Sequence, residues 1–275
     1  MYANQASCEM HIFDSSGSPA VNIEALADYG RELLGGTEVL CQGDFIGYCL
    51  GKCEPPDVDQ VENELAEMLA GARVTEPTAR TRTSKQPQPV ADYERRMLRR
   101  EPPRPVGVLY DGFELCLTYN GLLSRAGVDA DALVLVITNQ LFGTFEEDDS
   151  RYHARVIIFG SPCIVSTTGL VEAPAKPRSQ YIGRQLGFGQ SPAMGDASGR
   201  WLLPNDPRTT EVLKGYLAQA IFYYVTGEPF CEERGCRLFN AHWQEDLLLS
   251  QLGSEREFCE YHRIVAHTFK GVGNV

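Results

Sequence analysis

The chain has 275 residues, a hydrophobic content of 43% and a formal net charge of −12. This composition suits a folded protein with a real core, and the acidic charge argues against a protein that binds the phosphate backbone of nucleic acids. The apolar runs fall far short of the roughly 20 residues that span a membrane, and the first residues lack the pattern of a signal peptide. We therefore expect a cytoplasmic protein with no membrane segment.

The N-terminal part has an α/β pattern. MHIF predicts a strand, NIEALADYGRELLGG an amphipathic helix that ends at a glycine pair, and TEVLCQGDFIGYCL a second strand. The segment from Asp57 to Ala72 predicts another helix, because apolar residues recur at helical spacing and acidic residues fill its first turns. Residues 73–105 are rich in proline and arginine, and we interpret them as a solvated basic connector. The alternative is a scaffold subunit in which this stretch docks an acidic partner.

Two apolar runs predict strands in the second half. ALVLVITNQLF is continuously apolar, which is typical of a strand buried on both faces, and the acidic FEEDDS after it predicts an exposed loop. HARVIIFGSPCIVSTTGLV predicts a pair of strands with a turn at Gly160, Ser161 and Pro162. Residues 172–200 are rich in proline, glycine, serine and glutamine, and predict a long irregular surface segment.

A long buried helix should follow, from Asp206 to Thr226. Asp206 with Pro207 is a helix start signal, and Gly227 is a stop signal. Together these elements predict an α/β fold in which one domain, residues 1–275, has a twisted mixed sheet with packed helices. A zinc-binding subdomain at about 227–275 would clamp its C-terminus.

Four residues near the C-terminus have the spacing of a zinc site. The nine cysteines should be reduced in a protein without a secretion signal, so metal binding or burial must explain them. Two close thiols, a separation of about twenty residues and a Cys-x2-His pair suit tetrahedral zinc. Because four protein ligands leave no open position, we expect one structural Zn²⁺ ion. Its ligands are Cys231, Cys236, Cys259 and His262, and Cys49 with Cys53 is a weaker second metal candidate.

These residues resemble those of the archaemetzincins, a family of small zinc metallopeptidases. In that family a long helix carries HExxH, a glycine turn and a third histidine follow, and a C-x4-C…CxxC structural zinc site comes next. CEERGC (Cys231 to Cys236) matches the first pair, Gly227 falls at the glycine turn, and His262 replaces the last cysteine. Upstream, LVLVITNQLF and VIIFGSPCIVSTTGLV resemble strands of the family. The resemblance implies a metzincin-like fold.

The positions that this resemblance assigns to catalysis carry other residues. The three histidine positions hold Ala220, Tyr224 and Phe230, and the general-base position holds Ile221. The peptidase reaction needs two imidazoles one helical turn apart and a carboxylate, and none is present here. We therefore expect a non-catalytic protein, a pseudoenzyme. Its old substrate cleft, or the rim strand near Val156 to Val171, would bind a peptide or protein partner.

A rebuilt active site is the competing hypothesis. His242 and Glu245 lie within about one helical turn, and would present an imidazole and a carboxylate together in a zinc-dependent hydrolase. The simpler interpretation is that Asn240 caps a helix and that Glu245 lies on its solvated first turn.

Overall fold

The computed structural model describes residues 9–54, 57–80, 86–99, 107–178 and 199–269. The strands are β1 (Met10–Ser15), β2 (Val39–Gln42), β3 (Leu109–Asp111), β4 (Leu133–Thr138), β5 (Leu141–Glu146), β6 (Arg151–Arg155), β7 (Ile157–Ile158) and β8 (Cys163–Ser166). The helices are α1 (Ile23–Leu33), α2 (Phe45–Gly51), α3 (Asp57–Gly71), α4 (Gln88–Leu98), α5 (Gly112–Arg125), α6 (Thr167–Glu172), α7 (Thr209–Thr226), α8 (Gln244–Leu248) and α9 (Glu260–Phe269), and a π-helical turn, Leu249–Gly253, follows α8.

The central sheet is mixed, as the sequence predicts. Its strand order is β2-β1-β4-β8-β7, and every neighbouring pair is parallel except β7 with β8. A second, small sheet has the order β3-β5-β6. The strand β7 is thus an antiparallel edge of the central sheet, and it continues directly from β6 of the small sheet.

Helices cover both faces of the central sheet. Along β1, Met10 and Ile12 belong to one apolar cluster, while Phe13 belongs to the other. The first cluster includes α1, α7 and the C-terminal residues, and the second includes α2, α3 and α5. Every residue of β4 is buried, which confirms the prediction of a strand covered on both faces.

The second strand predicted near the N-terminus is wrong in its latter half. The chain forms a strand only over Val39–Gln42, and Phe45–Gly51 is a helix. The carboxylate of Asp44 accepts a hydrogen bond from the backbone N–H of Gly47 and so caps this helix. This helix is only seven residues long, which is too short for helical periodicity to show in the sequence, so its alternating apolar residues wrongly predicted a strand.

The basic stretch at 73–105 is not solvated throughout. Of these residues, 81–85 and 100–105 lie outside the described ones, but α4 packs against α3 with Ala91 and Met97 buried. Glu94 is 1% exposed, and its carboxylate lies 2.6 Å from Nε of Arg73 and accepts a hydrogen bond from the hydroxyl of Tyr110. A charge pair therefore anchors this helix where composition alone predicted a connector.

The long helix starts three residues later than predicted, at Thr209. The carboxylate of Asp206 accepts hydrogen bonds from the backbone N–H of Arg208 and of Leu203, so it orders the approach to the helix. Gly227, with φ at 78°, ends the helix in the left-handed conformation that glycine favours. Within the described chain, none of the helices has the length and apolar content that crossing a membrane requires.

Two segments remain to be compared with the prediction, the acidic FEEDDS and the irregular residues 172–200. FEEDDS forms the end of β5 and the turn to β6, because the two strands pair antiparallel from Phe142 to Arg155. The irregular segment predicted at 172–200 lies mostly outside the described residues, which leave out 179–198.

Candidate metal centre and cleft

Two short pieces of chain bring the predicted zinc ligands together. The first is the loop that follows α7, in which the backbone N–H of Cys231 donates to the carbonyl of Leu238 and that of Cys236 to the carbonyl of Glu233. The second is the start of α9, where the backbone N–H of His262 points at Sγ of Cys259 over 3.5 Å. A tight loop and a helix start thus each present two ligands on one side.

The four ligand atoms lie within 4.8 Å of one another. Sγ of Cys231 is 3.9 Å from Sγ of Cys259, and Nδ1 of His262 is 3.8 Å from Sγ of Cys236 and 3.1 Å from Sγ of Cys259. A tetrahedron with Zn–S bonds of about 2.3 Å has edges of roughly 3.8 Å. The donor set and the spacing therefore fit a zinc ion.

Burial makes this cluster unfavourable for thiolates without a cation. Burial raises the pKa of Cys236 to about 12 and also raises the pKa of Cys231. Burial lowers the pKa of His262, so its imidazole is neutral near pH 7 and its ring nitrogen is available as a ligand. A divalent cation would supply the positive charge that stabilises the thiolates.

Aromatic packing joins the metal cluster to the main core. The ring of Phe222, on α7, packs edge-on against His262 at 5.5 Å and against Phe269 at 4.9 Å. Cys236 and Cys259 belong to the same apolar cluster as α7 and β1. A metal ion held here would tie the C-terminal helix α9 to α7 and the main core.

A cleft of about 620 Å³ lies beside the edge strand. Its lining includes the chain from His153 to Phe159, the chain from Phe239 to His242, and Thr144, Glu146 and Phe230. Tyr216 and Gln219 are the lining residues that belong to α7, and because both are buried we call them the floor of the cleft. None of the four metal ligands lines this cleft.

The rim of the cleft directs backbone groups outward. The backbone N–H of Ser166, in β8, donates to the carbonyl of Val156 over 2.8 Å, and Ile157 and Ile158 pair with Val165 and Ile164. In an antiparallel pair, alternate residues direct their N–H and C=O groups away from the partner strand. Ile157 therefore presents both backbone groups on the side away from β8.

The positions that the archaemetzincin resemblance assigns to catalysis do not all line the cleft. Phe230 lines it, but Ala220 and Ile221 are fully buried, and the hydroxyl of Tyr224 donates to the carbonyl of Asp131, two residues before β4. The residues of α7 that face the cleft are Tyr216 and Gln219, which the sequence argument missed. Counting back from a cysteine fixes a chain position, whereas the side that faces a cleft depends on how the helix packs.

His242 lines the cleft, whereas Glu245 does not. The carbonyl of His242 accepts a hydrogen bond from the backbone N–H of Ala175. Asn240 does not cap the following helix, which begins after Trp243 and has no side-chain cap. Of the two residues of the rebuilt-site hypothesis, only His242 therefore lines the cleft.

The second metal candidate gains no further ligand. Cys49 is buried in the core, and Sγ of Cys53 donates to the carbonyl of Cys49 over 3.5 Å. Across the described residues, the Cys231–His262 cluster is the one group of three or more His, Cys, Asp or Glu side chains close enough to hold a metal ion.

Comparison with known families decides the broad class of this protein. A family model described as "Probable metallopeptidase family (DUF6775)" matches residues 7–269. The chain belongs to this family. The match to a metallopeptidase family agrees with the Cys/His cluster and with the cleft beside an edge strand. No curated protein and no solved structure gives a significant match.

Proposed function

We propose that this chain is a non-catalytic, archaemetzincin-like member of the metallopeptidase family, which holds one structural zinc ion and binds an extended peptide in its cleft. One observation carries the proposal. The four-donor Cys/His cluster is the one metal-binding group found among the described residues, and none of its members lines the cleft, whose floor is Tyr216 and Gln219.

The proposed zinc ion would be held by Cys231, Cys236, Cys259 and His262. A zinc ion bound there would cross-link the C-terminal helix α9 to the loop that follows α7. Four protein ligands complete its coordination, so no position is left for a substrate or a reactive water. The zinc centre therefore serves stability, and binding is the role left to the cleft.

The rim strand supports peptide binding. An extended chain laid beside Ile157 would exchange main-chain hydrogen bonds with its outward N–H and C=O groups, as in strand addition to a sheet edge. Exposed rings offer further contact area, because Phe230 is 41% and Phe113 59% exposed. Both side chains line the cleft.

A zinc-dependent hydrolase with a rebuilt site is the second candidate, and the family description together with His242 in the cleft favours it. Hydrolysis of quenched fluorescent casein separates the two. We expect no hydrolysis by zinc-loaded protein above the buffer rate. Hydrolysis that 1,10-phenanthroline stops and that His242→Ala abolishes would refute the non-catalytic proposal.

Docking of an acidic partner through residues 73–104 receives less support. Arg73 faces Glu94, Arg80 faces Glu147, and Arg99 faces Asp59 and Glu62. Three arginines of the described part of this stretch are thus matched by acidic side chains of the same chain, which makes them less available to a partner.

A further inference from the structure

The side-chain amide of Gln219 is an unusual group for the floor of a cleft. Gln219 lies near the middle of α7, lines the cleft, and is only 2% exposed. Its Nε2 donates to the carbonyl of Phe239 over 3.5 Å, the outer limit of a hydrogen bond. Its Oε1 has no hydrogen-bond partner among the described residues.

Another buried glutamine shows what a structural amide looks like in this fold. Gln244 is 1% exposed, its Nε2 donates to the carbonyl of Leu170 over 2.7 Å, and its Oε1 accepts from the backbone N–H of Leu202 over 3.1 Å. That amide is bonded at both ends, as buried polar groups normally are. The amide of Gln219 has one long hydrogen bond and an oxygen without a partner. Gln251 also has a buried Oε1 atom without a partner, but Gln251 does not line the cleft, whereas Gln219 does.

Stability does not account for a glutamine at position 219. A buried acceptor without a partner lowers stability, and a leucine of similar shape would fill the same space without that cost. A polar group retained against stability points to function, because strained or unsatisfied groups collect at binding sites. One weak bond also leaves the amide free to turn toward a ligand.

We propose that Gln219 is a ligand-binding residue, whose amide forms hydrogen bonds with the main chain of an extended peptide that carries a large apolar side chain. This inference rests on the proposed function of the cleft. The peptide would pair with Ile157 on one side and reach Gln219 on the floor. The apolar side chain would contact the apolar part of the lining, which includes Val156, Phe159, Tyr216, Phe230 and Phe239.

The test compares peptide binding and thermal stability in three proteins. The probes are fluorescein-labelled pentapeptides Ala-Ala-Xaa-Ala-Ala, with each of the twenty amino acids at Xaa, and binding is followed by fluorescence anisotropy. The proteins are the wild type, Gln219→Leu and the matched control Gln244→Leu. A second set of nineteen peptides, N-methylated at Xaa for every amino acid except proline, lacks the main-chain N–H group that would donate a hydrogen bond to the Gln219 oxygen.

We expect the wild type to bind peptides with Phe, Leu or Met at Xaa most tightly. Gln219→Leu should bind them at least tenfold more weakly with an equal or higher Tm, and N-methylation should cause little further loss in this variant. Gln244→Leu should show the reverse, a lower Tm in a protein whose folded fraction binds normally.

Two outcomes would overturn the role of Gln219 alone. These are unchanged peptide affinity in Gln219→Leu, or a Tm that falls as in Gln244→Leu, which would make Gln219 a structural residue. If the wild type bound none of the thirty-nine peptides, the proposed function would fail, and the inference would fail with it.

Discussion

Sγ of Cys231 lies 3.9 Å from Sγ of Cys259, although 28 positions separate the two residues in the chain. Between them the chain forms α8 and the π-helical turn, and then returns to the start of α9. Such closeness without a disulfide, with a third thiol and an imidazole beside it, is the arrangement in which a metal ion closes a loop.

Loss of one thiol should therefore destabilise the protein. We expect Cys259→Ala to lower the free energy of unfolding by about 3 kcal/mol or more, because zinc binding is coupled to folding. The corresponding fall in Tm is roughly 6 °C or more. Differential scanning calorimetry measures it, with Cys53→Ser, a half-buried cysteine outside the cluster, as the control. Equal Tm values for wild type and Cys259→Ala would contradict the expectation.

Zinc affinity should fall as the pH falls. Burial raises the pKa of Cys231 and raises the pKa of Cys236 to about 12, so without metal both thiols hold their protons at neutral pH. Binding must release these protons, so each unit of acidification should weaken binding roughly 100-fold or more. His262, with its pKa lowered by burial, adds to this effect only below its ordinary range. Chelator competition at pH 6, 7 and 8 measures the slope, and a flat profile would exclude thiolate ligands.

The approach to α7 should be sensitive to acid. Burial alone would raise the pKa of Asp206, but hydrogen bonds from the side chain and backbone of Arg208 lower it overall. A carboxylate with a lowered pKa stabilises the fold above its unfolded pKa of about 3.9, and this contribution is lost as the pH falls through the folded value.

Asp206→Asn should consequently cost about 2 kcal/mol at pH 7. The difference from wild type should shrink below about pH 4, where the wild-type carboxylate is protonated. Urea unfolding at both pH values tests this. Asp28→Asn, at an exposed pair with Arg31, serves as the control and should change little. A difference that is the same at both pH values would argue against the charge of Asp206.

Gly169 holds the rim strand close to α6. A Cβ atom at Gly169 would lie 2.4 Å from the carbonyl oxygen of Arg155 and 3.1 Å from Cα of Val156. Gly169→Ala must therefore displace the rim, and we expect a loss of about 1–3 kcal/mol in stability. Peptide affinity should fall as well.

The matched control for this change is Gly121→Ala in α5, where a Cβ atom meets nothing within 4 Å. Alanine in a helix should be neutral or slightly stabilising there. If both variants kept wild-type stability and peptide binding, the contact between Gly169 and the rim would be unimportant for the cleft.

The sequence correctly predicted the features of this structure that depend on local chemistry. The spacing of Cys231, Cys236, Cys259 and His262 predicted a cluster that the fold brings together, because ligand geometry restricts how far apart such residues can be in short loops. The continuous apolar run of β4 and the glycine stop at Gly227 were equally readable.

Features that depend on tertiary packing, such as the packing of helix α4 and the cleft floor, could not be predicted from the sequence. The pairing of Arg73 with Glu94 turns a basic stretch into a packed helix, and no composition rule reveals such a partner. The cleft floor likewise follows from the rotation of α7, which places Gln219 in the cleft and buries Ala220. A hydrophobic helix with no polar face gives little indication of that rotation.

We propose that this member of the metallopeptidase family holds a metal ion at the Cys231–His262 cluster and none in the cleft. Elemental analysis of purified protein by mass spectrometry, on wild type and on Cys259→Ala, tests it most directly. We predict one zinc ion per chain in the wild type and none in Cys259→Ala. Two tightly held zinc ions per chain in the wild type, or one that survives in Cys259→Ala, would contradict the account.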